Sequence, residues 1–209
     1  MTAINRRQAY ETVDRFEEAL AEYTGAPHVV CTSSCTDAIF LCFAYIRVQR
    51  PGVVPSVQIP KHTYVGVVQA VKRAGMPYVF DDLEWVGSHA LLPYAVVDSA
   101  KYFARDMYDA ELDTSNICVS FGASKRLPIG RGGAILTADK DFVDWIRPRI
   151  MDGRTPGEDY MNPSFVSPGW RLNMTPEQAA RGLDLLTYID DEPSDTWESY
   201  PDLSKAEWL

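Results

Sequence analysis

Residues 117–137 decide the fold: Ile117-Cys118-Val119-Ser120-Phe121-Gly122-Ala123-Ser124-Lys125, then Arg126-Leu127-Pro128-Ile129, then Gly130-Arg131-Gly132-Gly133-Ala134-Ile135-Leu136-Thr137. The run 117–121 is apolar and has the length of a buried strand. It ends in a polar loop that carries Lys125. The glycine-rich turn at 130–133 leads into a second apolar run over residues 134–137. Upstream, Tyr94-Ala95-Val96-Val97 is a third such run and closes on Asp98. Residues 28–31, 57–59 and 78–80 read as further strands, the last ending on Asp81 and Asp82.

Helical periodicity fills the intervals. Val13, Phe16, Leu20 and Tyr23 recur at helical spacing over residues 9–23, and Gly25 and Pro27 stop that helix. The cluster Thr32, Ser33, Ser34, Cys35 and Thr36 supplies N-cap chemistry for an apolar helix running to about residue 48. Pro51 and Gly52 mark a turn. Further helices are predicted over residues 63–74, 139–151 and 176–189. Short apolar strands alternating with helices predict an α/β fold, a mostly parallel central sheet with helices on both faces. In such sheets ligand chemistry collects at the carboxyl ends of strands. The 33–36 cluster, Asp98 and the Lys125 loop all follow predicted strand ends.

The chain has 209 residues, enough for one sizeable core and too few for two ordinary domains. Residues 1–189 are predicted to form that domain, and residues 190–209 an acidic C-terminal tail, extended or partly disordered, with Pro193 and Pro201. The formal net charge of -9 argues against nucleic acid and anionic membrane as partners. No apolar run reaches membrane-spanning length, and the N-terminus lacks the apolar core of a secretory signal. A cytoplasmic location is therefore the expectation. Cys31, Cys35, Cys42 and Cys118 sit in or beside apolar runs without a CxxC pair, and only three histidines are present. Buried reduced thiols, and no metal centre, are expected.

Taken singly, the polar residues at strand ends have ordinary explanations. Lys125 alone reads as a solvated loop lysine. Asp98 at the end of an apolar strand needs a cation or hydrogen bonds, and a helix N-cap would also satisfy it. Ser33, Ser34 and Thr36 cap a helix whose free N–H groups can equally hold a phosphate. Tyr64, beside Thr63 at another helix start, reads as core packing.

Their order together resembles the DegT/DnrJ/EryC1/StrS group of sugar aminotransferases, which depend on pyridoxal phosphate (PLP) and have the type I aminotransferase fold. The resemblance runs, with gaps, from about Phe16 to Ile189. Phe16-Glu17 with Tyr23-Thr24-Gly25-Ala26 looks like the family's opening helix and turn. Ser33-Ser34-Cys35-Thr36-Asp37-Ala38-Ile39 is similar to its phosphate loop, and Pro60 with Thr63-Tyr64 to its Pro-x-x-Thr-Phe segment. Asp98-Ser99-Ala100 resembles Asp-x-Ala. The run from Ser120 to Lys125, followed by Gly-x-Gly-Gly, resembles its lysine motif, and Gln178-Ala179-Ala180 with Gly182 a helix late in its large domain.

The resemblance implies a role for each position. Lys125 would bond covalently to PLP and then move a proton between substrate and cofactor. Asp98 would face the pyridine nitrogen, so that the ring stays protonated and draws electrons. Tyr64 would stack on the ring. Thr36, Ser120, Ser34 and the backbone near Cys35 would hold the phosphate. The reaction implied is transfer of an amino group from a donor such as glutamate to a keto group on a nucleotide-linked sugar or related small molecule. A homodimer with sites at its interface is implied as well. The alternative is a degenerate PLP-fold subunit that binds or regulates without transamination.

The departures are specific. The family's phosphate-loop glycine is Cys35 here, and its His or Gln three residues after the aspartate is Lys101. A second cation there opposes the charged form of a neighbouring amine. The family's Gly-x-Asn-x-Arg segment reads Gly169-Trp170-Arg171-Leu172-Asn173, so Arg171 would reach the partner's phosphate directly. Only residues 83–93 lie where the family has another strand and helix. The small C-terminal domain is largely missing from the sequence after Ile189, which implies a shortened frame.

Overall fold

The computed structural model describes residues 6–109, 115–155, 157–158, 162–189 and 200–207, with the backbone alone for 6–9. The elements follow in the order α1 (Arg6–Thr24), β1 (His28–Thr32), α2 (Cys35–Gln49), β2 (Val57–Pro60), α3 (Val65–Arg73), β3 (Tyr78–Asp81), β4 (His89–Ala90), β5 (Val96–Ser99), β6 (Asn116–Ser120), β7 (Gly133–Thr137), α4 (Lys140–Ile150) and α5 (Pro176–Leu186). The predicted strands and helices form, but they alternate only as far as β3; β3 to β7 follow one another with no helix between them among the described residues.

Five strands form one sheet in the order β1-β7-β6-β5-β4, and β2 pairs with β3 in a second. The expectation of a mostly parallel sheet needs correction. Parallel pairing joins only β5 to β6 and β2 to β3, while β1–β7, β6–β7 and β4–β5 are antiparallel. The reason lies in the connections. A parallel return needs a long crossover, usually a helix; residues 100–115 supply the length between β5 and β6, whereas the shorter loop 121–132 folds β7 back beside β6. An apolar run of four or five residues reports burial and not direction. The two sheets meet where Gln58 N–H donates to Leu92 O at 2.7 Å.

The strand alternation sorts side chains onto two faces. Val30, Cys118, Ile135 and Val96 point into a core built with α2, α3 and α4. Val29, Cys31, Ile117, Val119, Ala134 and Leu136 point into a core built with α1 and α5, around Phe16, Leu20 and Phe121. Helices therefore cover both faces, as expected. α2 carries apolar residues nearly all round and is buried from Ala38 to Ala44, which explains its lack of a polar stripe.

One buried ion pair ties α1, β1 and α4 together. Glu17 accepts from Cys31 N–H at 2.7 Å and from Arg147, whose guanidinium also donates to Val29 O at 3.0 Å. Burial pushes the Glu17 carboxyl above its ordinary range, and the Arg147 charge offsets part of that. All four cysteines are buried as free thiols, with Cys42 Sγ 3.7 Å from Cys118 Sγ.

Residues 190–199 of the predicted tail lie outside the described residues. Residues 200–207 pack against the domain and do not extend from it. Leu203 is buried in the α2/α3 core, and its N–H donates to Lys61 O at 2.9 Å. Among the described residues no helix is long and apolar enough to cross a membrane.

Candidate active site

β1, β5 and β6 run in one direction and β7 in the other, so the ends of three strands and the start of the fourth meet at one edge. A cavity of about 470 Å³ opens there, within the range of small-molecule sites. Ser34, Cys35, Thr36, Tyr64, Asp98, Ser120 and Lys125 all line it. These are seven of the eight residues singled out from the sequence.

Asp98 lies inside β5 and not beyond its end, because the strand runs two residues further than the apolar run suggests. Its register opposite Cys118 puts it on the sheet face that carries Val96, toward the start of α2. It is buried. One carboxylate oxygen accepts from Ala100 N–H at 3.0 Å and lies 3.9 Å from Cys35 Sγ. Burial pushes the Cys35 thiol well above its ordinary range; Asp98 adds to this and Lys125 opposes it. The position that resembles the family's glycine is thus filled by a buried thiol.

Ser34 is the N-cap of α2. Its hydroxyl accepts from Asp37 N–H at 3.1 Å and donates to the Asp37 carboxylate, as does Ser33. Arg73 of α3 pairs with the other Asp37 oxygen at 3.0 Å. The capping explanation therefore holds for the Ser34 side chain. The N–H groups of Cys35 and Thr36 open the helix, where no intrahelical acceptor exists, and they face the cavity end where an anion is favoured.

The Lys125 loop is pinned by backbone. Phe121 N–H donates to Gly132 O at 3.0 Å, Gly130 N–H to Phe121 O at 3.1 Å, and Lys125 N–H to Gly122 O at 3.0 Å. Gln178, in the capping box of α5, reaches Arg131 O at 3.2 Å and steadies the turn from outside. Gly133 is required by close approach: a Cβ there would lie 2.6 Å from the Ser34 carbonyl carbon and closer still to Cys35 N. Gly133→Ala is expected to push β7 from the start of α2 and cost about 1–3 kcal/mol, read as a lowered urea midpoint.

Tyr64 does not pack in the core. It precedes α3 with 56% of its surface exposed, on the cavity wall. Arg171 lies outside this chain's cavity, largely exposed and 3.9 Å from Asp152. Asn173 turns inward and donates to Tyr10 Oη at 3.0 Å. Several wall residues had no site role from the sequence: Thr63, Trp85, Ser124, Arg131 and Tyr200, with Lys101 known only as a departure. Arg131 sits inside the glycine-rich turn, Ser124 in the lysine run and Thr63 beside Tyr64, so these three had a local signal. Lys101 is buried at the wall.

The donor set suits a phosphorylated, protonated heteroaromatic aldehyde. It combines an amine, a buried carboxylate, an exposed ring, a helix start and two hydroxyls at one cavity. Comparison with known proteins gives the same direction. The model of the DegT/DnrJ/EryC1/StrS aminotransferase family matches residues 3–90 and 111–200. Asp98 and β5 fall in the gap between the two matched stretches. The spore coat polysaccharide biosynthesis protein SpsC of Bacillus subtilis is 26% identical over 225 residues, covering 86% of this chain and 57% of that protein. The sugar aminotransferase CalS13 of Micromonospora echinospora superposes with a TM-score of 0.67 at 19% identity, over 85% of this chain and 60% of that one. PseC of Helicobacter pylori, an aminotransferase of pseudoaminic acid biosynthesis, gives 0.64 at 16% identity, over 90% and 64%. The chain thus spans about three-fifths of the length of these relatives, and its fold is that of their matching part.

Proposed function

This chain belongs to the DegT/DnrJ/EryC1/StrS aminotransferase family, and we propose that it binds PLP in the Asp98–Lys125 cavity and transfers an amino group to a keto sugar. The observation that carries this reading is the convergence of Lys125, Asp98, Tyr64 and the start of α2 on one cavity. When bound, PLP supplies an electron sink for charge developing on the substrate carbon. The chain's own residues do the rest. Lys125 anchors the cofactor covalently and then carries the proton at its Nζ. Asp98, its rotamer fixed by Ala100 N–H, holds a proton on the pyridine nitrogen. Tyr64 covers one face of the ring. Thr36 and Ser120 hydroxyls, with the N–H groups of Cys35 and Thr36 and the Ser34 cap, hold the phosphate. Arg171 reaches the phosphate of a second copy in a homodimer, a charge-assisted contact. The donor is an amino acid such as glutamate, and the acceptor a nucleotide-linked sugar.

A second reading, a cofactor-binding subunit without transamination, draws support from Cys35, whose thiol occupies the phosphate loop beside Asp98. One experiment separates the two. Purified protein mixed with PLP should turn yellow, and glutamate should bleach the colour as its amino group is taken up. A colourless protein overturns both readings. Colour that no amino donor bleaches favours the silent subunit.

A further inference from the structure

Tyr200, from the C-terminal segment, lines the same cavity as Lys125 and Asp98 although 75 residues separate it from Lys125 in the chain. Its ring stacks on Trp85, with centroids 6.1 Å apart and planes at 20°. Trp85 also lines the cavity, donates from Nε1 to His62 O at 2.9 Å, and packs its other neighbour, the buried His89, at 4.5 Å. His62 Nδ1 in turn lies 2.8 Å from Tyr200 O. Three residues later Leu203 is buried and hydrogen-bonded to Lys61. Asp202 caps the short 3-10 turn Leu203–Lys205 through Ser204 N–H at 3.0 Å. The segment is therefore anchored at several points to residues 61–62 and 85, beside the backbone that carries Tyr64.

An anchored aromatic pair at a cavity wall has a physical consequence. Two flat, weakly hydrated rings exclude water from the space they face, which strengthens every electrostatic interaction inside. Lys101 and Arg131 stand on the same cavity. We propose that Tyr200 and Trp85 form the outer wall of the cofactor compartment, so that the C-terminal segment is part of the active site and shields the Lys125 linkage. This rests on the PLP reading above. The ring of Tyr200, and not its hydroxyl, is the shielding element, because stacking on Trp85 orients the ring face.

The test uses the full chain loaded with PLP and hydroxylamine as a small probe that strips the cofactor from its lysine. Tyr200→Ala should raise the second-order stripping rate on the order of tenfold. Tyr200→Phe should keep the wild-type rate. If Tyr200→Ala does not fold, Trp85→Leu removes the other half of the pair and should give the same increase. A coloured wild type with stripping unchanged in the folded variants overturns the wall and leaves the cofactor reading standing. A colourless wild type overturns both. A Tyr200→Phe variant stripped as fast as Tyr200→Ala assigns the shielding to the hydroxyl and overturns the ring-based wall.

Discussion

Lys125→Ala protein will fold like the wild type and form no borohydride-reducible link to PLP. The loop around position 125 is held by backbone hydrogen bonds between Phe121, Gly122, Gly130 and Gly132, none of which uses the lysine side chain. Surface and loop substitutions of this kind cost within about 0.5 kcal/mol. The chemical loss is larger. Without the amine there is no covalent link and no base at the substrate carbon, and acid–base catalysis alone contributes about 10²–10⁴-fold. Residual non-covalent binding through the helix start and Asp98 should survive and be measurable by dialysis. A retained borohydride-reducible link would sink the assignment and move the link to Lys101, the other lysine on the cavity wall.

The second large effect is on stability. Arg147→Ala should cost about 3–5 kcal/mol, because it strands the buried Glu17 carboxylate with Cys31 N–H as its remaining partner. For a chain of this size that corresponds to a fall in Tm on the order of 10 °C. The pH dependence has a definite sign. Burial raises the folded-state pKa of Glu17 above its unfolded value, so the folded variant takes up a proton first as pH falls. The deficit should therefore be fully present at neutral pH and narrow as pH drops through the raised value toward 4.5. Glu17→Gln should be milder, since the amide oxygen still accepts from Cys31 and Arg147 is partly exposed and can be hydrated. Urea titrations of both variants at two pH values check the order. Equal losses at both pH values would show that Glu17 stays charged without its partner.

Much of this was readable from residue order. Lys125, Asp98 and the 33–36 cluster were placed at strand ends by apolar runs alone, and the structure brings Lys125, Asp98 and residues 34–36 to one cavity. The parts that were missed share a cause. Strand direction depends on how the chain returns between two runs, and an apolar run of four or five residues carries no sign of it. β4 has two residues, too few for any period. Trp85 and Tyr200 meet only in three dimensions, and neither position has local periodicity to announce it. Tyr64 reads as core because aromatic residues usually are; an exposed ring beside a cavity is visible only once the cavity exists.

The pairing of β1 with β7 sets a condition on how the molecule is made. About 100 residues separate Thr32 from its partner Gly133. A ribosome therefore releases α2, the most uniformly apolar helix, well before the central strand that covers it. Until residues 133–137 emerge, that helix has α3, β5, β6 and a β1 not yet joined to the sheet to lie against, and the rest of its surface is open to chaperones and to other nascent chains. Yield in a recombinant host should therefore respond to slower translation and to chaperone supply more than to any change at the active site.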